Sequence, residues 1–171
     1  MNEPRLKALG TVGVEMQPVV HPLHPRLCHR PLTITLPGQT VRMSIGLAMP
    51  PSNAWVVWVD VERLLPVWRG EPWARGVLKA DRSTWPSDYK FAGAAERWSR
   101  SMETPYGLPR VCLIGQGVQF NDGITRTLWL AYHGARVVPL LAYLGEDDAR
   151  ALHALVGAEI PPAPVGRYRE D

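Results

Sequence analysis

Apolar and polar positions divide the chain into short blocks of changing period. Leu32 to Leu36 alternates apolar and hydroxyl side chains, the period of a strand with one buried face. Val41 to Leu47 alternates again, so the two blocks predict a hairpin across Pro37-Gly38-Gln39-Thr40. Ala54 to Val61 is β-branched and aromatic and stays apolar on both faces until Asp60, which predicts a strand buried from both sides. Asp60 can then cap a short helix from Val61 to Leu65, stopped by Pro66. Residues 66–88 show no period and read as loop, with Trp68, Trp73 and Trp85 among Gly, Pro and Arg.

Phe91, Ala94, Ala95 and Trp98 fall at helical spacing and predict a helix over Lys90 to Met102. The turn Thr104-Pro105-Tyr106-Gly107 leads into strand Arg110 to Ile114, and Gly115-Gln116-Gly117 turns into strand Val118 to Asn121. After Asp122-Gly123 a helix runs through His133, with Leu128, Leu130 and Ala131 inside, and Gly134 ends it. Val137 to Leu144 reads as a buried strand. Glu146 to Val156 reads as a helix with an acidic first turn, the end where carboxylates are favoured. Pro18, Pro22, Pro25 and Pro31 make residues 1–31 an irregular arm, and residues 159–171 form a short charged tail. The elements between, over 32–158, predict an α+β domain with a small mixed sheet.

Composition narrows the classes. The 171 residues suit one domain, and 15 Gly with 17 Pro predict many turns and few long helices. No apolar run reaches the roughly 18 residues of a bilayer span, and Met1 to Gly10 lacks the apolar segment of a signal peptide, so no membrane insertion is expected. Cys28 and Cys112 cannot form a disulfide framework and read as reduced thiols, which points to the cytoplasm. Charge is uneven: residues 20–110 hold twelve basic against seven acidic side chains, and residues 111–171 hold five against seven. An Arg-rich first part suits a phosphate-bearing partner, and a genome rich in Arg codons would give the same composition.

Candidate chemistry gathers between Gly117 and Leu141. A helix opening after Asn121-Asp122-Gly123 offers free amides to an anion, and Gly123 lets a phosphate approach the backbone. Arg126 brings a planar fork for phosphate oxygens, and Thr125 and Thr127 add hydroxyl donors. Asp122 can cap the helix or hold a hard metal, Mg²⁺ for example. On these residues alone, a plain helix cap is the simpler account. Asp60 and Glu62 are further carboxylates for a metal or a water; the alternative makes Asp60 a cap and Glu62 a solvated residue. Arg69, Arg75 and Arg82, interleaved with Trp68, Trp73 and Trp85, suit single-stranded DNA, with Arg63, Arg97 and Arg100 as further basic contacts. The rival reading has the rings pin a long loop, and Trp98 belongs to its helix's apolar stripe. His21, His24, Cys28 and His29 are possible zinc ligands, but their spacing matches no familiar finger and the prolines resist wrapping; Cys112 reads as an inert small hydrophobe.

The order Asp122-Gly123-x-x-Arg126-Thr127, apolar helix, Gly134, then Val137-Val138-Pro139-Leu140-Leu141 resembles the core of the ParB/sulfiredoxin superfamily. Val57 to Pro66 resembles that family's opening strand and turn, so the likeness spans roughly residues 54–145. Within the superfamily the chain is similar to plasmid fertility-inhibition factors. The resemblance implies ATP held at Gly123 and Arg126, with Lys90 joining them. It also implies ATP hydrolysis, DNA cleavage and blockade of conjugative or T-DNA transfer. Ile124 stands where sulfiredoxin has its reactive Cys, so thiol repair is not implied, and too little chain follows for a partition-type DNA-binding domain. A non-catalytic alternative docks on a coupling or secretion-system protein. The nucleotide reading makes Arg126 a binding residue that the fold can lose.

Overall fold

The structure is a computed structural model, and it describes residues 20–22, 31–44, 55–68, 76, 81–142 and 146–158. Strands β2 (Leu32–Leu36) and β3 (Gln39–Ser44) form the expected hairpin. Leu36 pairs with Gln39, so the turn is the two residues Pro37-Gly38 and β3 starts two residues earlier than expected. Proline presets its own φ and Gly38 supplies φ +77°, a combination that closes a two-residue turn. Ile34, Leu36, Val41 and Met43 face inward and are buried.

A five-stranded mixed sheet lies beside this hairpin, in the order β1 (Val20–Pro22), β4 (Trp55–Asp60), β8 (Val137–Ala142), β6 (Arg110–Ile114) and β7 (Gly117–Asp122). Strand β4 (Trp55–Asp60) pairs antiparallel with β8 (Val137–Ala142) along its whole length, from Trp55↔Ala142 to Asp60↔Val137. Val57, Trp58 and Val59 are consecutive and buried, as an apolar run predicts for a strand covered on both faces. Strand β6 (Arg110–Ile114) runs parallel to β8 and antiparallel to β7 (Gly117–Asp122). Together with the helices this is the α+β class expected.

Two strands depart from the sequence reading. Residues 1–31 were expected to be irregular, yet β1 (Val20–Pro22) pairs with the outer edge of β4. An open edge is completed by any nearby extended segment, and a three-residue edge strand ending in Pro follows no period that a sequence reveals. Tyr106–Gly107, expected as turn, forms β5 and joins β3 in parallel, making a second sheet in the order β2-β3-β5.

The helices follow local chemistry. Asp60 caps α1 (Val61–Val67), accepting from the Arg63 amide at 2.9 Å. Pro66 does not stop α1 before it; it sits inside the last turn, and the chain becomes extended at Trp68. So close to a C-terminus, proline removes one donor and ends the helix just beyond itself. Asp81 caps an unforeseen 3-10 helix over Arg82–Ser87. Asp88 caps α2 (Tyr89–Ser99) through the Lys90 amide. Helix α3 (Ile124–Tyr132) ends before Gly134 at φ +85°, and α4 (Glu146–Val156) closes the domain.

Arg63 ties the first and last helices together. Its guanidinium donates to the carbonyls of Ala154 (2.9 Å), Leu155 (3.1 Å) and Gly157 (2.9 Å), three acceptors at the end of α4. Gly157 and Ala158 then lie along β4 through the Val59↔Gly157 bridge and the Ala158 amide on Trp58 O. We predict that Arg63→Ala lowers unfolding free energy by about 1–2 kcal/mol, read in urea titration, because charged hydrogen bonds to a helix C-terminus are lost at a partly exposed site.

Candidate functional site

The turn from β7 to α3 is built around Gly123. Its φ is +90°, and a Cβ there would stand 2.6 Å from Pro109 Cα. Glycine is therefore required for conformation and for space. A glycine cannot cap with a side chain, so α3 begins without a side-chain cap. The Gly123 carbonyl accepts from the Thr127 amide at 3.0 Å and from the Thr127 hydroxyl at 3.1 Å.

Arg126, three residues into α3, is 9 % exposed. One of its terminal nitrogens donates to the Gly107 carbonyl on β5 and the other to Asp122 Oδ2 on β7. Its Cζ lies 4.9 Å from the centre of the Tyr106 ring. A Cβ on Gly107 would come within 3.0 Å of the guanidinium, so a second glycine is shaped to this arginine. The expectation that Arg126 turns its fork to a phosphate is corrected: the fork is engaged inside the protein. Thr127 is corrected likewise, since it is fully buried and its hydroxyl serves the helix backbone. Thr125 is half-buried at the helix start.

Asp122 does not cap α3. Its side chain is half-exposed and paired with Arg126. Partial burial pushes its pKa upward, but the hydrogen bond and charge of Arg126, the Gly123 amide and the charge of Arg110 outweigh this and hold it below the usual carboxylate range. Arg110 is its register partner across β6 and β7.

The remaining candidates are dispersed. Phe91 packs edge-on to Tyr132 while Trp98 stacks on Trp129, so α2 runs antiparallel to α3. Lys90 therefore stands beside the far end of α3 from Gly123, and not with the turn as expected. Asp60 caps α1, and Glu62 bonds the Arg82 guanidinium at 3.1 Å; on both, the simpler reading holds. Trp68 and Trp85 were expected at the surface for stacking on bases, and both are buried. Trp68 stacks on Phe120 at 3.9 Å, and Trp85 packs under Arg82, which lies 5.5 Å from its ring centre. A large ring near a sheet gains more from burial than loop-like sequence discloses. Cys112 is half-buried, with its thiol 3.6 Å from Asn121 Oδ1. Arg69, Arg75, Trp73, His24, Cys28 and His29 lie outside the described residues; His21 adds its backbone to β1.

The residues present fit the expected groups only in part. Among the described residues no three His, Cys, Asp or Glu side chains come together. Asp122 meets a guanidinium at Oδ2, a donor set that does not suit Mg²⁺. For ATP the first amides of α3 fit a phosphate, whereas the side chains of Arg126 and Thr127 do not. Sequence reasoning missed Tyr106, Gly107, Pro109 and Arg110, the far wall of the turn. Their signal was the Thr-Pro-Tyr-Gly cluster, which reads as a turn in isolation.

These features define a small α+β domain in which a glycine turn and a buried arginine clasp join two sheets. A family model described as plasmid fertility inhibition factor (PFIN) matches residues 56–157, from β4 to just past α4. The chain belongs to this family. It is 32% identical over 93 residues to Protein osa of Shigella flexneri, covering 50% of this chain and 46% of that protein. It thus spans about half the length of that curated relative. It is also similar to a crystal structure of Oncogenic Suppression Activity Protein, a plasmid fertility inhibition factor, in its gold(I) cyanide derivative. There the TM-score is 0.60 and the identity 25%, over 74% of this chain and 68% of the other.

The clasp and its turn make three predictions. Arg126→Met removes the guanidinium donor from the Gly107 carbonyl and from Asp122 and lowers stability by about 2 kcal/mol, seen as a reduced urea midpoint. The Asp122 carboxyl titrates low, so its stabilising effect is present above the ordinary carboxylate pKa of about 4 and is lost as pH falls through the lower folded value. Asp122→Asn should flatten that acid limb. Gly123→Ala should cost about 2–3 kcal/mol by strain and by collision with Pro109, measured by thermal unfolding.

Proposed function

We propose that this protein represses conjugative DNA transfer by binding a component of the transfer process, with the Asp122–Arg126 clasp as its framework. The observation that carries this reading is the engagement of Arg126 on three sides, by Gly107, Asp122 and Tyr106. A guanidinium so held is not available to neutralise charge developing on a transferring phosphoryl group. Membership in the fertility inhibition family supplies the biological setting. Partners in that setting are the transferred DNA and the coupling or secretion-system proteins, met in the cytoplasm. Among the described residues no helix is long and apolar enough to cross a membrane.

A second reading, hydrolysis of ATP with cleavage of DNA, is favoured by a different observation. Helix α3 starts without a side-chain cap, next to Gly123 and the half-buried Thr125, and such a start attracts phosphate. Its strand–turn–helix order also agrees with placement in the ParB/sulfiredoxin superfamily. In this reading main-chain amides bind the nucleotide, and Arg126 positions the turn.

One experiment separates the two. Pure protein is incubated with ATP and with single- and double-stranded DNA, in Mg²⁺ and in EDTA, and the same gene is expressed in a donor strain for mating. Binding predicts at least a tenfold drop in transconjugants with no phosphate release and no cleavage. Mg²⁺-dependent cleavage or phosphate release by the pure protein overturns it in favour of the enzyme.

A further inference from the structure

Strand β2 stands at the edge of the second sheet, whose order is β2-β3-β5. Among the described residues no strand or bridge lies against its outer side. On β3 the Arg42 amide donates to Ser101 Oγ at 3.3 Å, and the Ser44 carbonyl accepts from the Leu108 amide at 2.7 Å. Arg42 and Ser44 therefore turn their backbone groups away from β2, and Val41 and Met43 turn theirs toward it. The register partners of Val41 and Met43 are Ile34 and Leu32. Thr33 and Thr35 are left with N–H and C=O directed out of the sheet, a row of donors and acceptors that can template another strand. The same stretch reads alike in both directions: Pro31-Leu32-Thr33-Ile34-Thr35-Leu36-Pro37 is a palindrome centred on Ile34.

We propose that β2 pairs antiparallel with β2 of a second copy of this chain, across a two-fold axis at Ile34. An antiparallel partner reverses chain direction, so a palindrome meets itself with like opposite like. Thr33 lies opposite the partner's Thr35, and Leu32 lies opposite the partner's Leu36. The Thr pairs are the ones with outward backbone groups, so each exchanges both of its N–H···O=C bonds. Thr–Thr is also a favourable cross-strand pair. The smallest slip that keeps those groups opposed is two residues, and it puts a Thr opposite Pro31 or Pro37, which has no N–H. The prolines thus fix the register. A two-fold axis also sets every charge near its own like; β2 carries none, and it lacks the Lys that blunts many natural edges. Arg42, opposite Thr33 within the hairpin, is turned to the Met102 carbonyl at 3.0 Å. Ile34 and Leu36 stay in their own cores, and the exposed Thr33 and Thr35 line the contact. Strand β5 lies at the opposite edge of the sheet, so self-pairing leaves the clasp uncovered.

The test is sedimentation equilibrium of the full chain from micromolar to submillimolar concentration, where a monomer–dimer equilibrium is expected. Thr35→Pro removes an outward N–H that the hairpin does not use, and it should abolish the dimer. Thr33→Glu combined with Thr35→Glu sets like charges opposite each other across the axis and should raise the dissociation constant about tenfold. Thr33→Glu combined with Thr35→Lys sets Glu opposite Lys and should restore the dimer, which a variant that merely damages the fold would not do. Circular dichroism checks that each variant is folded. In wild type the Thr33 and Thr35 amides should exchange with deuterium more slowly as concentration rises. A monomer throughout the range overturns the proposal, as does a dimer that Thr35→Pro and the doubly acidic variant leave intact. Protection of the two amides that does not change with concentration also overturns it, because a segment of the same chain then holds the edge.

Discussion

A single guanidinium decides where the two sheets meet. Arg126 reaches from α3 to Gly107 on β5 and to Asp122 on β7, strands of different sheets. Remove it and β5 loses the donor on its free side, Asp122 keeps a charge beside a partly buried wall, and Tyr106 loses the cation over its face. A charge this buried is stable only when it is paired and hydrogen-bonded, so its neighbours are constrained in turn. Gly107 leaves room for the guanidinium, since a Cβ there would stand 3.0 Å from it, and Gly123 must be glycine to let the turn pass over Pro109. The clasp dictates these sequence choices at positions distant along the chain.

The aromatic residues carry this order away from the clasp. Tyr106 meets Trp98 edge-on at 4.9 Å, Trp98 stacks on Trp129 at 5.1 Å, and Trp129 stacks on His133 at 3.8 Å. The chain of rings fixes α2 against α3 and so fixes which end of α2 borders the turn. It brings Arg97, from the last turn of α2, to Tyr106 and leaves Lys90, from the first, at the other end. Whether a basic residue belongs to the site thus depends on helix direction, which ring packing determines.

Much of this architecture was legible because its causes are local. The alternation in Leu32–Leu36, the cap at Asp60, and the glycine stops at Gly38 and Gly134 each act within a few residues, and those elements formed where their own chemistry put them. The glycine turn at Asp122-Gly123 was legible for the same reason. The errors have a non-local cause. Strand β1 exists because β4 offered an edge, and β5 exists because β3 did. Trp68 is buried because Phe120, fifty-two positions later, presents a face to it. Arg126 looked like a ligand group because its acceptors, Gly107 and Asp122, become acceptors only when two sheets converge. Its spacing to Asp122, four residues, was visible; that the pair turns inward was not.

The extent of the family match bears on which parts of the chain hold the site. Residues 56–157 contain every member of the clasp, from Tyr106 and Gly107 to Asp122, Gly123 and Arg126. They do not contain β2 or β3. Yet β5 is two residues long and owes its place to β3, through the Met43↔Tyr106 and Ser44↔Gly107 pairs and the Leu108 amide on Ser44 O at 2.7 Å. A strand that short has no stability of its own. Arg42 adds to the attachment, bonding the Met102 carbonyl at 3.0 Å and offering its own amide to Ser101, which is fully buried. The hairpin therefore holds one jaw of the clasp from outside the matched segment, while Ile34, Leu36, Val41 and Met43 complete the hydrophobic core beneath it. The matched segment carries the chemistry of the turn, and the hairpin before it sets the geometry in which that chemistry operates.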